Sequence, residues 1–218
     1  MTAIAAMAGR TTRDSRFWDR IARRYAAKPV ADEAAYQEKL RLTREHFRPD
    51  SRVLEIGCGT GSTAIAHAPF VGHVEAVDFS ARMIAIATAK AEEAGIANVA
   101  FRQAGLDDLD TSAPRYDAVL ALSLLHLLAD REAAIAAAWR MLKPGGVFVT
   151  NTVCLGDGMS YFRPIAPIGR WLGVLPMLRV FKVAELEASL RAAGFVIETV
   201  RRAAKTPSVF IIARKPAG

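Results

Sequence analysis

The sequence predicts an α/β protein built on an open, mostly parallel sheet with helices on both faces, and three observations predict it. Short apolar runs of strand length alternate with helical patterns of period near 3.6, the order that makes parallel strands with crossover helices. The first run, 52–56, ends in Gly57-Cys58-Gly59-Thr60-Gly61 and passes at once into a helical pattern from Ser62. Near the end, runs 195–200 and 208–213 follow each other without a helix between them, and so should pair antiparallel.

The elements follow in order. Residues 13–47 read as two helical stretches: Phe17, Ile21, Arg24 and Tyr25 share one spacing, then Pro29 and Asp32 open a second stretch through Tyr36, Leu40 and Thr43. Strand 52–56 is apolar enough to be buried on both faces, and helix 62–68 follows it. Residues 74–78 form a second strand, and Ser80 caps a helix through Met83, Ile84, Ile86 and Ala87 that runs to Gly95. Strands 99–103 and 116–122 come next. An Ala-rich helix, 131–142, stops at Pro144-Gly145-Gly146 before a fifth strand, 147–153. After an irregular stretch, helix 183–193 closes at Gly194 and leads into the final strand pair.

The 218 residues suit one domain, with 52% hydrophobic and 23% charged residues and no long biased tract, which excludes a disordered chain. The longest nearly uncharged apolar stretch, 118–129, falls short of the roughly 20 residues a membrane helix needs. Residues 2–8 are apolar, but arginines follow rather than precede them, the wrong order for a secretory signal, so the expected compartment is the cytoplasm. Two cysteines, Cys58 and Cys154, form neither a disulfide framework nor a metal-ligand pattern, and no metal is expected. A net charge of +7 steers encounters with nucleic acid, anionic lipid or acidic substrates without choosing among them.

A strand that feeds a helix leaves unpaired N–H groups at the helix start, and glycines let a ligand approach that backbone. The spacing here is GxGxG at Gly57, Gly59 and Gly61, with Ser62 where a dinucleotide fingerprint has its last glycine, which weakens a nicotinamide reading. No lysine follows as in a P-loop. Asp78 ends the second strand, where a carboxylate can accept from both ribose hydroxyls of an adenosine. Glu55, just before the glycines, reads either as a structural carboxylate or as one that orients the turn or a ligand amino group.

Taken together, Val53-Leu54-Glu55-Ile56-Gly57-Cys58-Gly59-Thr60-Gly61, then AVDFS, RYDAVLALSLLHLL and MLKPGG, resemble the successive motifs of class I S-adenosylmethionine-dependent methyltransferases. Within them the chain is most similar to the small-molecule branch of ubiquinone and menaquinone biosynthesis methyltransferases. The resemblance spans 52–151 and continues more loosely to the end. It implies a Rossmann-like sheet of seven strands, the last antiparallel, in a single domain 1–218. A helical cap over 13–47, a cofactor-binding core over 52–153 and a candidate substrate lid over 155–182 make up that domain. It also implies S-adenosyl-L-methionine as cofactor: Gly57, Gly59 and Gly61 near its methionine part, Thr60 beside it, Asp78 on the ribose, Phe79 and Met83 against the adenine. Leu122 would add a backbone carbonyl. Where the family often has an acid, this chain has Gly105, so adenine contact there falls to the backbone of Gly105 and Leu106, or to Asp107.

Methyl transfer from a sulfonium is a displacement for which the protein mainly positions the reactants, so catalytic residues leave little trace in a sequence. His126, after the fourth strand, suits a proton acceptor or, among Leu124, Leu125, Leu127 and Leu128, a packed histidine. Tyr25 could touch the cofactor or the acceptor, and Lys28 lies nearby in sequence. In the lid, Ile165, Ile168, Trp171, Leu172 and Leu175 form an apolar stripe if helical, which either packs on the sheet or, with the neighbouring arginines, makes peripheral contact with an anionic membrane. The favoured acceptor is a small, lipophilic molecule methylated on O, N or S. Nucleic acid is disfavoured because Leu122-Ser123-Leu124-Leu125 stands where amino-directed nucleic-acid methyltransferases carry Asp/Asn-Pro-Pro-aromatic. An RNA or protein methyltransferase and a non-catalytic cofactor-binding scaffold are the rivals.

Overall fold

The computed structural model describes residues 15–172, 174–204 and 206–218. The expected start of the first helix at 13, and the apolar stretch 2–8, lie outside the described residues. Helix α1 covers 15–26. Helix α2, Glu33–Arg44, begins where the sequence places it, because Asp32 accepts from the Ala35 N–H at 2.9 Å and satisfies one orphan donor of the first turn.

The core alternates as expected: β1 Arg52–Ile56, α3 Ser62–His67, β2 His73–Asp78, α4 Ala81–Glu93, β3 Val99–Gln103, β4 Tyr116–Leu122, α5 Arg131–Met141 and β5 Leu142–Val153. Helices α6 Phe162–Trp171 and α7 Val183–Ala192 precede β6 Val196–Arg202 and β7 Ser208–Arg214. The seven strands form one sheet in the order β3-β2-β1-β4-β5-β7-β6. Strands β1 to β5 pair parallel, and β7 runs antiparallel to both β5 and β6. The fold class read from the sequence is therefore the one observed. Strand β5 starts five residues earlier than its apolar run, since Leu142 pairs with Tyr116 before the Pro-Gly-Gly turn shifts the register.

Packing on both faces explains the apolar runs. On one face Leu54, Val77, Val119, Phe148 and Ile211 meet α5 and α7; on the other Val53, Val74, Leu120, Val149 and Phe210 meet α3 and its neighbours. The order of strands reverses between β1 and β4, each a neighbour of the other yet wound in opposite directions. At such a point the flanking connections diverge and leave a crevice at the carboxyl ends of the strands. The site lies there.

Candidate functional site

The crevice is a cavity of about 520 Å³, within the range of small-molecule sites. Each wall comes from a segment that leaves the carboxyl edge of the sheet. Gly57 and Gly59 follow β1, Asp78 and Phe79 end β2, Gly105 to Asp107 follow β3, and Leu122 to Leu124 follow β4. Trp18 and Tyr25 close it from α1, and Pro176, Met177 and Arg179 from the segment after α6.

The glycine turn is tied to β2. Gly57 and Cys58 both donate to the Val77 carbonyl at 2.8 and 3.0 Å, and Gly59 donates to Asp78 Oδ2 at 3.0 Å. All three glycines have positive φ, 70°, 54° and 75°, where a side chain is strained. They differ in what surrounds them. A Cβ on Gly61 would lie 2.7 Å from Ala87 Cβ and from Phe101 Cζ, so this glycine serves helix–sheet packing. A Cβ on Gly59 would meet only Tyr25, at 3.9 Å, with space for a ligand in front.

Asp78 is buried, and its two oxygens already accept from Gly59 and, at 2.8 Å, from Ser80. Burial raises its pKa, which these two N–H groups oppose. Each oxygen keeps lone-pair capacity toward the cavity. Ser80 in turn caps α4 by accepting from Met83 and donates to Asp19 of α1 at 2.6 Å, while Asp19 also accepts from Arg82. Asp19 thus fastens the N-terminal helix beside the cavity. The sequence reading did not find it, because a single Asp on a helix face carries no local signal.

Glu55 stands behind the turn, off the cavity wall and buried. Its Oε2 has no hydrogen-bond partner. Desolvation pushes its pKa up to about 8; the Ala64 backbone N–H partly offsets this and the Asp78 charge adds to it. Thr60 is also off the wall; its hydroxyl accepts from Lys90 at 3.2 Å on the α4 side. Of the predicted site residues, the structure brings Tyr25, Gly57, Gly59, Asp78, Phe79, Met83, Gly105, Leu106 and Leu122 onto one cavity, and leaves Glu55, Thr60, Gly61, His126 and Lys28 off it.

At the third strand the Gly105 N–H is taken by Asp108 Oδ2 at 2.8 Å, which caps a short 3-10 turn and removes that donor from the cavity. Leu106 and Asp107 remain on the wall. Ser123, also on the wall, has φ of 57°, the one positive-φ residue other than glycine among the described residues. Its N–H donates to Asn151 O at 2.6 Å, so the chain turns sharply at the end of β4 while still paired to β5. Backbone strain of this kind collects at binding sites.

His126 takes the packed alternative. It is buried in a 3-10 turn, with Nδ1 3.0 Å from the Thr152 hydroxyl and 3.5 Å from the Val153 N–H, and burial lowers its pKa to about 4. Nδ1 is an acceptor there and the ring is neutral at pH 7. Its carbonyl accepts from the Arg179 N–H at 2.8 Å, and Arg179 Nη2 donates to Ala129 O at 2.6 Å. The histidine turn therefore clasps the segment after α6 over the cavity. Tyr25, by contrast, is at the wall, edge-on to Trp18, with a pKa raised by burial, then by Asp78 and Glu55.

Residues 53–146 match the methyltransferase domain family. This match covers the glycine turn, the β2 carboxylate and both sides of the crevice in one stretch. Over that stretch the chain carries a methyltransferase domain, the kind of domain that its class I S-adenosylmethionine-dependent motifs resemble. It is 33% identical over 151 residues to the ubiquinone biosynthesis O-methyltransferase of Azorhizobium caulinodans, covering 66% of this chain and 58% of that one. It is 32% identical over 110 residues to the uncharacterized methyltransferase YcgJ of Bacillus subtilis, covering 50% of this chain and 44% of that one. The chain thus spans less than two thirds of the length of these curated relatives. Among solved structures, the [4+2]-cyclase SpnF superposes with a TM-score of 0.72 at 22% identity, over 88% of this chain and 84% of that one. That neighbour is a cyclase, so this fold alone does not dictate the reaction.

Proposed function

We propose that the cavity binds S-adenosyl-L-methionine and that the chain transfers its methyl group to an O, N or S atom of a small, lipophilic acceptor. The observation that carries this reading is the buried Asp78 carboxylate on the wall of a cavity, held directly beside the open backbone of Gly59. The residues fit the cofactor. A diol needs two acceptors in fixed geometry, and Asp78 is fixed by two backbone N–H groups. Phe79, Met83 and Leu106 supply an apolar slot for a purine. Glu55, buried behind the turn with an unpartnered oxygen and a pKa raised to about 8, holds a proton at pH 7 in the free protein, and a cation on the methionine side would favour its ionised form.

When bound, the cofactor supplies a methyl group already activated by the positive charge on sulfur. The chain's own contribution is then to hold and to exclude water. Leu124, Leu127, Leu128, Ala133, Pro176 and Met177 make most of the remaining wall apolar, which suits a lipophilic acceptor. Asp130 on that wall is engaged in capping α5, accepting from Ala133 at 2.8 Å. Tyr25 on α1 is placed to touch cofactor or acceptor, and its phenol is protonated and able to donate a hydrogen bond at pH 7, as an ordinary tyrosine is. His126, neutral and turned into β5, positions the lid rather than accepting a proton. The relatives named as ubiquinone biosynthesis O-methyltransferases favour an oxygen acceptor on a quinol-like ring over N or S.

The test is transfer from methyl-labelled cofactor to quinols, phenolic lipids, thiols, amines and tRNA. Labelled product in the lipid-extractable fraction supports the reading. Label in tRNA or protein alone would move the chain to the macromolecular rivals, and tight cofactor binding without any product would make it a scaffold.

A further inference from the structure

Helix α6 presents its apolar stripe to solvent. Of the two readings of the stripe, packing on the sheet does not hold for four of its five residues: Ile165, Ile168, Trp171 and Leu172 are 46%, 59%, 75% and 60% exposed. The opposite face, Ala166 and Gly169, is the buried one, because only small residues let the helix approach, and Leu175 fills the space beside Gly169. Tyr161 and Val174 extend the exposed apolar surface at either end of the helix. Four large side chains from 165 to 172 left in water along one side of α6 and its C-cap, with Val174 just beyond, mark an interaction surface rather than scattered surface residues.

Charge selects the partner. Between Asp157 and Glu185 the chain carries no acidic residue and four basic ones, Arg163, Arg170, Arg179 and Lys182. At 100° per residue, Arg163 and Arg170 fall on the border between the buried face and the apolar arc of Ile165, Ile168, Trp171 and Leu172. A helix with an apolar face, a tryptophan at its outermost point and cations along one rim matches a bilayer interface with anionic headgroups. A second copy of the chain would bring the same four cations against them, and like charges oppose that pairing.

We infer that α6 docks this protein on an anionic lipid bilayer and so brings the acceptor end of the cavity to the membrane surface. The link to the cavity is covalent and short: Pro176, Met177 and Arg179, directly after α6, are part of its wall. A lipophilic acceptor could then enter from the bilayer without crossing water. The inference rests on the methyltransferase reading only for what the docking serves. The docking itself is independent of turnover.

The test is co-sedimentation of the full chain with phosphatidylcholine vesicles, with and without phosphatidylglycerol, alongside calorimetry with S-adenosylmethionine. Binding is expected to the anionic vesicles and to weaken by about fivefold for each cation lost or screened. Ile168→Asp with Trp171→Asp should weaken vesicle binding by at least about tenfold and leave cofactor affinity unchanged, since neither residue lines the cavity. No sedimentation with anionic vesicles, or sedimentation indifferent to the double variant, overturns the inference. So does a concentration-dependent dimer that the double variant abolishes, since a second copy would then be the occupant. Loss of cofactor binding in the unmodified chain with vesicle binding intact would instead refute the methyltransferase reading and leave the docking standing.

Discussion

Replacing Asp78 probes the site most directly, and the structure changes what the replacement should do. From sequence alone, Asp78→Ala should abolish cofactor binding and leave the fold intact. In the structure the same carboxylate accepts from Gly59 and Ser80, so alanine also leaves two N–H groups of the turn and of the α4 cap without their acceptor. Hydrogen bonds to a charged group contribute about 1.5–3 kcal/mol each. Two ribose hydroxyls on Asp78 therefore correspond to about 3–6 kcal/mol of binding, or roughly a hundred- to ten-thousand-fold in Kd. The two backbone bonds add a stability loss of similar size, eased because water can enter from the cavity. Asp78→Asn separates the contributions: it keeps one carbonyl acceptor and the shape, so it should lose less stability yet still fail to accept from both hydroxyls. Calorimetry with S-adenosylmethionine, paired with chemical denaturation of the free protein, reads both. If Asp78→Ala binds within threefold of the unmodified chain, the assignment of the ribose to this carboxylate is wrong.

Glu55 should make stability fall with rising pH. Its folded pKa is raised to about 8 from an ordinary value near 4.5, so the folded state holds a proton that the unfolded state releases across that window. Glu55→Gln should then gain on the unmodified chain by a few kcal/mol between pH 5 and 8, read as a denaturation midpoint difference that grows with pH; a difference flat with pH would refute the buried-acid account. Gly61→Ala and Gly59→Ala should part company. The first forces a Cβ to within 2.7 Å of two packed atoms and should cost about 2–4 kcal/mol of stability, whereas the second should cost about 1 kcal/mol and mainly weaken cofactor binding; equal melting losses would contradict the division of roles. For His126, with its folded pKa held at about 4 against an ordinary 6.5, stability is fully present above 6.5 and is lost as pH falls toward 4. His126→Asn should slow acceptor turnover through a looser lid without moving the pH dependence of kcat/KM, and loss of an ionisation near neutrality in that variant would restore it as a base.

The sheet, the glycine turn and the β2 carboxylate were legible in the order of the residues alone. Each is written in contiguous residues: alternating periods for strand and helix, glycines where φ is positive, and an acid at the last position of a strand that has one neighbour on each side. Even the antiparallel end of the sheet was legible, because two strands joined without a crossover have no other way to pair. Which way side chains face once distant segments meet was not legible there and came from the assembled fold. It turned His126 into Thr152 and away from the cavity, gave Gly61 to packing and Gly59 to the ligand side, and spent the Gly105 N–H on Asp108. It fastened α1 through Asp19 to Ser80, 61 residues away, and set Ser123 in a strained turn. It also left the α6 stripe in water instead of on the sheet. The physical reason is common to all of these. Local conformation follows from neighbouring residues, whereas exposure and partnership depend on long-range packing, and a periodic apolar stripe reads the same whether a sheet or a membrane is meant to cover it.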